Sequence, residues 1–280
     1  MARKVVLPGK SATARALSIE EVAAMLEGCD RPTFESCREA LKSDTRKGIL
    51  SLLARAEKRL TAEEAEAARL EGMYAFEASL AATHGAKMWV GLDEVGRGPL
   101  AGPLAAGAVV LSPGTRISGL NDSKKLTPAA REEIAEAVRT QALAWAVAYV
   151  DNDFIDAHGM VASLKKAFST ALADVEAQLA ARGMACDLVL LDGNPLGFDA
   201  REVNVVKGDA KCASIAAASI IAKVARDALM VEYAAEYPRY GWESNKGYAS
   251  EEHIAAIERY GLSPLHRASF CSSMTQMSLF

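Results

Sequence analysis

Four acidic residues lie at the ends of short apolar runs. Asp93 and Glu94 follow WVGL, Asp192 follows LVLL, and Asp209 comes shortly after NVV. Because functional side chains collect at strand ends in α/β sheets, we expect these carboxylates to meet at one edge of a sheet. Ionised acids that lie close together repel one another unless cations lie between them. The pattern therefore predicts a site for hard divalent ions that prefer oxygen ligands, Mg²⁺ or Mn²⁺.

The adjacent acids impose a condition on the backbone. In a continuing strand neighbouring side chains point to opposite faces, so Asp93 and Glu94 share a site only if the strand ends or bends there. Gly96 and Gly98 favour such a break. A single Asp-Gly pair, such as that at residues 192–193, is more often an ordinary turn. The four acids together, beside a glycine-flanked arginine, favour a functional site over four unrelated turns.

Composition excludes several classes of protein. Of the 280 residues, 50% are apolar and 24% are charged, which is ordinary for a globular protein with a packed core. The formal net charge of -4 excludes a uniformly basic surface, so contact with nucleic acid would need a local basic patch or bound cations. The longest apolar run, ALAWAVAYV, is too short to span a membrane, and the five cysteines form no C-x-x-C pair. We therefore expect a reduced, cytoplasmic protein without a membrane partner.

The first part of the chain carries helix signals and no strand-like run. Ser18 before IEEVAAML, and Thr61 with Glu64, match N-terminal capping patterns, and Gly85 supplies a stop. We expect a small all-helical module over residues 1–85. Six basic residues in its middle either grip a duplex or remain solvated on an amphipathic bundle, and both interpretations stay open. They are Lys42, Arg46, Lys47, Arg55, Lys58 and Arg59.

From Met88 onward the pattern changes. Helical patterns now alternate with β-rich runs, which are MWVGL, LAAGAVVL, ALAWAVAYV, DLVLL and EVNVV. This alternation predicts an α/β domain, with helices covering a sheet, over residues 86–270. The end of the chain, SFCSSMTQMSLF, has neither periodicity, and we expect a flexible tail over residues 271–280.

Together these motifs resemble those of a known family, the bacterial type 2 ribonucleases H called ribonuclease HII. The similarity runs in order through DEVGRGPLAGP at 93–103, GLNDSKKL at 119–126, LDGN at 191–194, VKGD at 206–209, AAASIIAKV at 216–224, RD at 226–227 and KGY at 246–248. The resemblance implies a ribonuclease H-like fold, in which a mixed β-sheet is flanked by helices. It also implies a metal-dependent endonuclease and, as partners, RNA/DNA hybrids and ribonucleotide-containing DNA.

The resemblance implies where and how such an enzyme cuts. It would cleave the RNA strand of hybrids and would cleave at single ribonucleotides embedded in duplex DNA, as a monomer. Two Mg²⁺ or Mn²⁺ ions can activate a water and stabilise the leaving 3′-oxygen, which predicts 5′-phosphate and 3′-hydroxyl ends. The catalytic and metal-binding acids would be Asp93, Glu94, Asp192 and Asp209.

The resemblance also implies a sensor for the ribose 2′-hydroxyl at the RNA-to-DNA junction, formed by Gly96, Arg97, Gly98 and Tyr248. Glycines on both sides of Arg97 let backbone groups approach a sugar that a Cβ would obstruct. On its own, Tyr248 would be interpreted as an aromatic residue packed beside a turn. The related ribonuclease HIII carries Gly-Lys-Gly at this position, so Arg97 favours the HII branch.

Several charged residues near these motifs have weaker assignments. Lys124 and Lys125 are candidates for phosphate contacts, although two solvated lysines explain the charge equally well. Lys223 and Arg226 are expected to support the site from a helix. Asp227 competes with Asp209 as a ligand, but its helical context and the resemblance favour the latter.

One position departs from the family pattern. Asn245 stands where many relatives have a histidine before Lys-Gly-Tyr. The departure leaves the role of Tyr248 in place and puts any role of that histidine in question. His266 is a candidate to serve near the substrate instead.

The last five residues resemble the bacterial sliding-clamp-binding pentapeptide, usually Gln-Leu-Ser/Asp-Leu-Phe. They are Gln276, Met277, Ser278, Leu279 and Phe280. Two apolar side chains on a tether can fill a pocket of a partner, and methionine is a tolerable replacement for leucine. A chain end without any function is equally consistent with so short a match.

Two alternative functions remain open. One is a ribonuclease HIII-like enzyme that acts mainly on longer hybrids. The other is an adaptor that binds nucleic acid or the clamp and has lost activity, which the complete set of acids argues against.

Overall fold

The computed structural model of this chain describes residues 17–276. The chain forms two compact units that divide after Arg69. The first unit is helical, and the second, which begins at Leu70, contains a five-stranded sheet.

The first unit is built from α1 (Ile19–Leu26), α2 (Arg31–Ala40) and the first part of α3 (Lys47–Thr83). The predicted cap at Ser18 is confirmed. Its hydroxyl accepts a hydrogen bond from the N–H of Glu21, and the Glu21 carboxylate accepts one from the N–H of Ser18. The three segments bury an apolar cluster that includes Val22, Phe34, Ile49 and Leu60.

The predicted helix start at Thr61 is wrong, because α3 runs unbroken from Lys47 to Thr83. No proline interrupts this segment, and its many Ala, Leu and Glu residues have high helix propensity. The residues of the capping pattern serve another purpose. The Glu64 carboxylate and the Thr61 hydroxyl accept hydrogen bonds from the Arg31 guanidinium, which ties α2 to α3.

Half of the basic residues singled out in the first unit are paired with acids of the same unit. The pairs are Lys42 with Glu39, Arg46 with Asp44, and Arg59 with Glu63. Such pairing reduces the positive charge that the unit offers to a phosphate backbone. It favours solvated charges over a duplex-gripping surface.

In the second unit the sheet has the strand order β3-β2-β1-β4-β5. The strands are β1 (Trp89–Val95), β2 (Leu104–Leu111), β3 (Ala142–Val150), β4 (Leu188–Asp192) and β5 (Glu202–Val205). β2 is antiparallel to both β1 and β3, whereas β1, β4 and β5 run parallel. The sheet is therefore mixed, and the carboxyl ends of β1, β4 and β5 lie at one edge.

Helices cover both faces of this sheet. The helices that follow α3 are α4 (Pro128–Gln141), α5 (Asn152–Ala180), α6 (Ala213–Glu236), α7 (Trp242–Asn245), α8 (Glu251–Tyr260) and α9 (Ala268–Gln276), and of these α4, α5 and α6 pack against the strands. Phe168 and Leu172 of α5 share one apolar cluster with Val90 and Leu92 of β1, while α4 and α6 belong to a second cluster with Val109 of β2. No helix within residues 17–276 is both long and apolar enough to cross a membrane.

α6 packs unusually close to the sheet because two strands carry glycine beneath it. A Cβ on Gly91 would lie 2.3 Å from the carbonyl carbon of Ser214, and one on Gly107 would lie 2.2 Å from the carbonyl oxygen of Ala218. The small residues of α6 that the sequence shows complete this fit. Close packing fixes the height of α6 above the acid-bearing strands.

By its contacts the last part of α3 belongs to the second compact unit, and the domain boundary at residue 85 stays a prediction. Residues 70–83 bury Met73, Tyr74, Glu77 and Ala81. These buried side chains make the segment part of the second unit although its composition resembles that of the first.

Glu77 caps the start of α6. Its carboxylate accepts hydrogen bonds from the N–H of Ser214 at 2.9 Å and from the Ser214 hydroxyl at 2.8 Å. The Trp89 indole donates a third. The residue at the cap position itself, Cys212, contributes no side-chain hydrogen bond. A carboxylate from α3 therefore accepts a hydrogen bond at the start of α6, where the N–H groups have no partner within the helix, and its negative charge lies at the positive end of the helix dipole.

The predicted flexible tail over residues 271–280 differs from the structure, in which α9 extends to Gln276. Cys271 is fully buried in a cluster with Leu100, Met230 and Trp242. This tertiary packing orders a segment whose local pattern shows no helix. Residues 277–280 lie outside the described residues.

Candidate active site

Three parallel strands bring the predicted acids to one edge of the sheet. Asp93 lies in β1, Asp192 is the last residue of β4, and Asp209 lies in the 3₁₀ turn that follows β5. The β1–β4 register pairs Leu92 with Leu191, which places Asp93 level with Asp192. The ends of three neighbouring strands thus gather acids that are far apart in the sequence.

One cleft of about 320 Å³ contains every predicted metal-binding and ribose-sensing residue. Its lining includes Asp93, Glu94, Gly96, Arg97, Gly98, Asp192, Asp209 and Tyr248. Of the two predicted phosphate-binding lysines, Lys124 lines the cleft and Lys125 does not. Three residues without a predicted site role also line it, namely Val95, Ser123 and Ser219, and so does Lys223, which is predicted to support the site from a helix.

Asp93 is the most deeply placed acid of the cleft, with 6% of its surface exposed. Its carboxylate accepts hydrogen bonds from the N–H of Glu94 at 2.8 Å and from the Ser219 hydroxyl. Burial, followed by repulsion from Glu94 and Asp192, raises its pKa well above the usual value for aspartate. The ionised form of Asp93 is therefore costly in the protein alone.

Two other acids of the cleft share this cost. Burial raises the pKa of Glu94, and the Arg97 guanidinium opposes that rise from 3.7 Å. Burial also raises the pKa of Asp209, with a further contribution from the charges of Asp192 and Asp122. The cluster consequently favours any cation that can lie among these oxygens.

A backbone contact joins the two acids that come from β4 and from the turn after β5. The N–H of Gly208 donates a 2.6 Å hydrogen bond to the Asp192 carboxylate. Lys207 adopts a left-handed conformation, with φ of 58°, that lets the chain turn there. A Cβ on Gly208 would lie 2.6 Å from the Ile215 side chain. The turn that carries Asp209 is thus held against β4.

The predicted break in β1 occurs on one side of the strand only. The ladder with β4 stops at Leu92, whereas the ladder with β2 continues to Val95. Asp93 and Glu94 therefore lie where β1 separates from β4 and still pairs with β2. Both side chains line the cleft at this fork, although the strand itself does not end there.

The donor set suits a hard divalent cation because it consists of carboxylate oxygens. No three Asp, Glu, His or Cys side chains in the described part of the chain form a preformed cage for an ion. Mg²⁺ is commonly held by one or two carboxylates together with waters and substrate phosphate, so such a cage is not required. The raised pKa values of Asp93, Glu94 and Asp209 also favour a bound cation, because a cation stabilises the ionised forms of these carboxyl groups.

The glycine-flanked arginine follows directly after these acids. Gly96 has a φ of 89°, and a Cβ there would lie 2.2 Å from Nε of Arg226. Among the described residues, apart from the two chain neighbours, no atom lies within 4 Å of a Cβ placed on Gly98, so the backbone there is open to a ligand. The Arg97 side chain is 65% exposed. This loop offers backbone groups, rather than a buried side chain, to the cleft.

Tyr248 follows a turn whose shape is set by Asn245. The Asn245 side chain accepts a 2.8 Å hydrogen bond from the N–H of Gly247 and donates a 2.7 Å bond to the carbonyl of Tyr240. Tyr248 remains 42% exposed and lines the cleft, with Nζ of Lys223 6.0 Å from its ring centroid. Asn245 therefore shapes the turn and does not itself line the cleft.

His266 does not lie near the substrate position predicted for it. It is 4% exposed and its Nε2 lies 3.1 Å from Nε2 of His253. Its Nδ1 accepts hydrogen bonds from the N–H and hydroxyl of Ser263, so its Nε2 carries the proton. His253 in turn bonds the carbonyl of Tyr248 through Nδ1. His266 thus lies outside the cleft lining and is connected to it through His253 and the carbonyl of Tyr248.

Ser219 and Lys223 are the cleft residues that sequence reasoning placed least well. Lys223 is predicted as a support, and Ser219 is named only within the AAASIIAKV motif. Both lie on one face of α6 at a spacing of four residues, and Lys223 pairs with Asp227 at 2.6 Å. The recurrence of polar residues every turn within an alanine-rich helix was the available signal. Asp227 is absent from the cleft lining, which agrees with the preference for Asp209.

Similarity to known proteins covers both units. A family model described as Ribonuclease HII matches residues 90–273, and one described as Ribonuclease HII N-terminal domain matches residues 18–81. The ribonuclease HII of Clostridium acetobutylicum is 39% identical over 264 residues, which cover 92% of this chain and 100% of that protein. The ribonuclease HII of Halalkalibacterium halodurans is 41% identical over 91% of this chain and 94% of its own length.

Solved structures share the fold. The ribonuclease H2 from Pyrococcus horikoshii has a TM-score of 0.57 and 27% identity, and the match covers 68% of this chain and 98% of that one. The RNase HII of Archaeoglobus fulgidus, solved in a complex with PCNA, has a TM-score of 0.56 and 26% identity, with coverages of 66% and 94%. Bst-RNase HIII, solved with Mn²⁺, has a TM-score of 0.51 at 19% identity over 69% of this chain and 70% of its own, and is similar in fold alone.

The predicted fold class is confirmed by these similarities and by the mixed sheet flanked by helices. The relatives that match nearly the whole chain are named as ribonucleases, which sets aside the alternative of an inactive adaptor. The chain belongs to the ribonuclease HII family and is an endoribonuclease that acts on the RNA strand of RNA/DNA hybrids.

Proposed function

We propose that this enzyme also cleaves at single ribonucleotides embedded in duplex DNA, leaving 5′-phosphate and 3′-hydroxyl ends. One observation carries the proposal, namely that the four acids share a single cleft with the Gly-Arg-Gly loop and Tyr248. A group that identifies one ribose therefore lies beside the groups that cleave its linkage. Such an enzyme would remove ribonucleotides from DNA in replication and excision repair.

The cofactors are two divalent ions, Mg²⁺ or Mn²⁺, held by Asp93, Glu94, Asp192 and Asp209. When bound, they supply activation of the attacking water and stabilisation of the leaving 3′-oxygen. The protein orients these oxygens through fixed contacts. Asp93 is held by the Ser219 hydroxyl, and Asp192 is held by the N–H of Gly208.

The ribose is recognised by backbone groups of residues 96–98 and by Tyr248. The open backbone at Gly98 can approach the sugar, and the 2′-hydroxyl is the group that distinguishes RNA from DNA. The exposed Tyr248 ring offers a face on which the sugar can rest. Recognition thus requires the loop and the tyrosine to keep a fixed separation.

The phosphate backbone is contacted by Lys124 and, more weakly, by Lys125. Lys124 lies in the cleft, and its N–H bonds the Asp122 carboxylate, which fixes the start of this short turn. Because Lys125 lies outside the cleft lining, we expect it to contact the duplex at a distance from the cleaved bond or to remain solvated.

The second partner is a sliding clamp, bound through residues 276–280. The support is the pentapeptide pattern and the PCNA complex of the similar Archaeoglobus fulgidus protein. Gln276 is the last residue of α9, and Met277, Ser278, Leu279 and Phe280 lie outside the described residues. In a pull-down with the bacterial clamp, deletion of these five residues should abolish capture. Retained capture would refute this contact.

The test of the proposed activity uses two substrates in parallel, a DNA duplex with one ribonucleotide and a plain RNA/DNA hybrid, each with Mg²⁺ or Mn²⁺. We expect the wild type to cut both, and Asp93→Asn to cut neither. Asp174→Asn, which changes an exposed aspartate of α5, is the matched control and should cut both. Cleavage of the hybrid alone would contradict the single-ribonucleotide activity and indicate a preference like that of ribonuclease HIII.

A further inference from the structure

Two fully buried arginines lie beneath the Gly-Arg-Gly loop. Arg226 in α6 and Arg267, just before α9, both have 0% exposed surface. Among the described residues, their side-chain hydrogen bonds all go to backbone carbonyl oxygens. A buried charge is costly unless hydrogen bonds replace its hydration. The positions of these carbonyl groups are therefore tied to the two guanidinium groups.

Arg267 joins the two ends of the loop. Its Nη2 donates a 2.6 Å hydrogen bond to the carbonyl of Gly96, and its Nη1 donates a 3.1 Å bond to that of Arg97. Nε and Nη2 both donate to the carbonyl of Gly102, at 3.0 and 2.8 Å. The planar, forked guanidinium can hold three carbonyls at once in a way that an ammonium group cannot.

Arg226 joins the same loop to the turn before Tyr248. Its Nε donates to the carbonyl of Pro103 at 2.8 Å, its Nη2 to that of Ala101 at 3.2 Å, and its Nη1 to that of Lys246 at 3.0 Å. The first two carbonyls follow the Gly-Arg-Gly motif. The third lies two residues before Tyr248, so one side chain joins the segment that follows the motif to the turn that precedes Tyr248.

Backbone contacts reinforce this connection. The N–H of Leu100 donates a 2.8 Å hydrogen bond to the carbonyl of Gly247. Gly247 has a φ of 86°, and a Cβ there would lie 2.4 Å from the carbonyl oxygen of Ala101. The loop and the Tyr248 turn are consequently in direct contact, and they share Arg226 as a common support.

The arginine contacts also fix the direction of two N–H groups. In a trans peptide the carbonyl of one residue and the N–H of the next point in opposite directions within one plane. When Arg267 holds the carbonyls of Gly96 and Arg97, it therefore sets the directions of the N–H groups of Arg97 and Gly98. These N–H groups are donors that a ribose hydroxyl can accept from.

We propose that Arg226 and Arg267 are positioning residues for ribose recognition, which hold the N–H groups of Arg97 and Gly98 at a fixed separation from Tyr248. This inference rests on the proposed function of the loop as a ribose sensor. Neither arginine lines the cleft. Their effect on substrate choice is therefore exerted through the backbone groups that they hold and, for Arg226, also through the Tyr248 ring, whose centroid lies 5.9 Å from its Cζ.

The test measures discrimination by binding, with two DNA duplexes that differ only in one 2′-hydroxyl. Affinities are measured by fluorescence anisotropy in EDTA, so that cleavage does not intervene. We expect the wild type to bind the ribonucleotide duplex about fivefold more tightly, the size of a net hydrogen bond. Arg267→Lys should reduce that ratio to within about twofold, because one ammonium cannot hold three carbonyls.

The ratio separates positioning from loss of folding. A smaller folded fraction weakens both apparent affinities equally and leaves their ratio unchanged. Arg259→Lys, at an exposed position of α8, is the matched control and should keep the wild-type ratio. If Arg267→Lys keeps the full ratio as well, the positioning role is overturned while the proposed function stands. If the wild type shows no preference, the sensor itself is refuted.

A second measurement needs no variant and so does not depend on whether Arg267→Lys folds. In ¹⁵N-labelled wild-type protein, the amide resonances of Arg97 and Gly98 should shift differently with the ribonucleotide duplex and the all-DNA duplex. Identical shifts at both amides, in a protein that still prefers the ribonucleotide duplex, would overturn the inference.

Discussion

The second unit contains two clusters of buried charge that differ in how the charge is satisfied. In the acid cluster, burial and mutual repulsion raise the pKa values of Asp93, Glu94 and Asp209. In the arginine pair, each guanidinium of Arg226 and Arg267 donates to three carbonyl groups. The first cluster gains stability when a cation binds. Burial also lowers the pKa of both arginines, to about 10 for Arg267 with repulsion from Arg226, but hydrogen bonds from the protein's own carbonyl groups replace their hydration and they stay charged at neutral pH. The difference separates groups that perform chemistry from groups that maintain shape.

The comparison predicts that activity and stability respond in opposite ways at the two clusters. Asp93→Asn removes a buried charge that repels its neighbours, so the free energy of unfolding without metal should not fall. Cleavage should drop by about a thousandfold or more, because a group that stabilises the transition state is lost. Single-turnover cleavage and urea unfolding measure the two effects. A variant that is both active and destabilised would contradict the assignment.

Arg226→Met should show the reverse pattern, with stability as the main loss. Three carbonyl groups lose a buried donor, and we expect the free energy of unfolding to fall by about 3 kcal/mol. Urea unfolding checks this, with Arg259→Met as the exposed control. An unchanged unfolding midpoint would show that water or neighbouring groups replace the guanidinium and that the arginine is not needed for the loop.

The buried histidine pair forms an intermediate case, because it avoids charge altogether. Burial, with repulsion from His253, lowers the pKa of His266 to about 4, and burial lowers the pKa of His253. Between about pH 6.5 and 4 the unfolded chain binds protons that the folded chain does not. The free energy of unfolding should therefore decrease as the pH is lowered from 6.5 to 4, by roughly 2 to 3 kcal/mol at pH 4.

Chemical unfolding across a pH series measures this effect. His266→Asn should flatten the dependence, and His158→Asn, at an exposed position, should preserve it. A dependence that is unchanged in His266→Asn would assign it to other groups.

The smallest effect concerns the cap that α3 supplies to α6. Glu77→Ala removes the acceptor for the N–H and hydroxyl of Ser214, and we expect a loss of about 1 to 2 kcal/mol in the free energy of unfolding. Glu71→Ala, which breaks only an exposed ion pair with Arg116, should cost less. Thermal unfolding compares the two. Equal losses would show that the buried cap contributes no more than a surface pair.

Sequence reasoning worked where the signal is local. The apolar runs before Asp93 and Asp192 form strands, and Asp209 lies in the turn that follows a third strand. These strands were predictable because burial leaves a recognisable apolar pattern within a few residues. The Ser18 cap was predictable for the same reason. Which acids share a cleft followed from parallel strand ends and, for the individual roles, from the family resemblance.

Prediction from the sequence failed where a feature depends on contacts between residues that are far apart in the chain. Arg267 bonds the carbonyl of Gly96, which lies 171 residues away, so no sequence window contains both. The helical start assigned to Thr61 was a local pattern that the long helix and the Arg31 contact override. Likewise, the order of α9 depends on burial of Cys271 against Leu100 and Met230, not on its own sequence.

The central claim is that acids at the ends of three strands form one metal-dependent site. Asp209 tests this claim most directly because it lies in the turn after β5, so its part in the site depends on how the chain folds there. The measurement is cleavage of a DNA duplex with one ribonucleotide over a series of Mg²⁺ concentrations, by wild type, Asp209→Asn and the exposed control Asp174→Asn. We expect Mg²⁺-dependent cleavage by wild type and by the control, and none by Asp209→Asn. Wild-type cleavage by Asp209→Asn, or cleavage without any divalent ion, would contradict the claim.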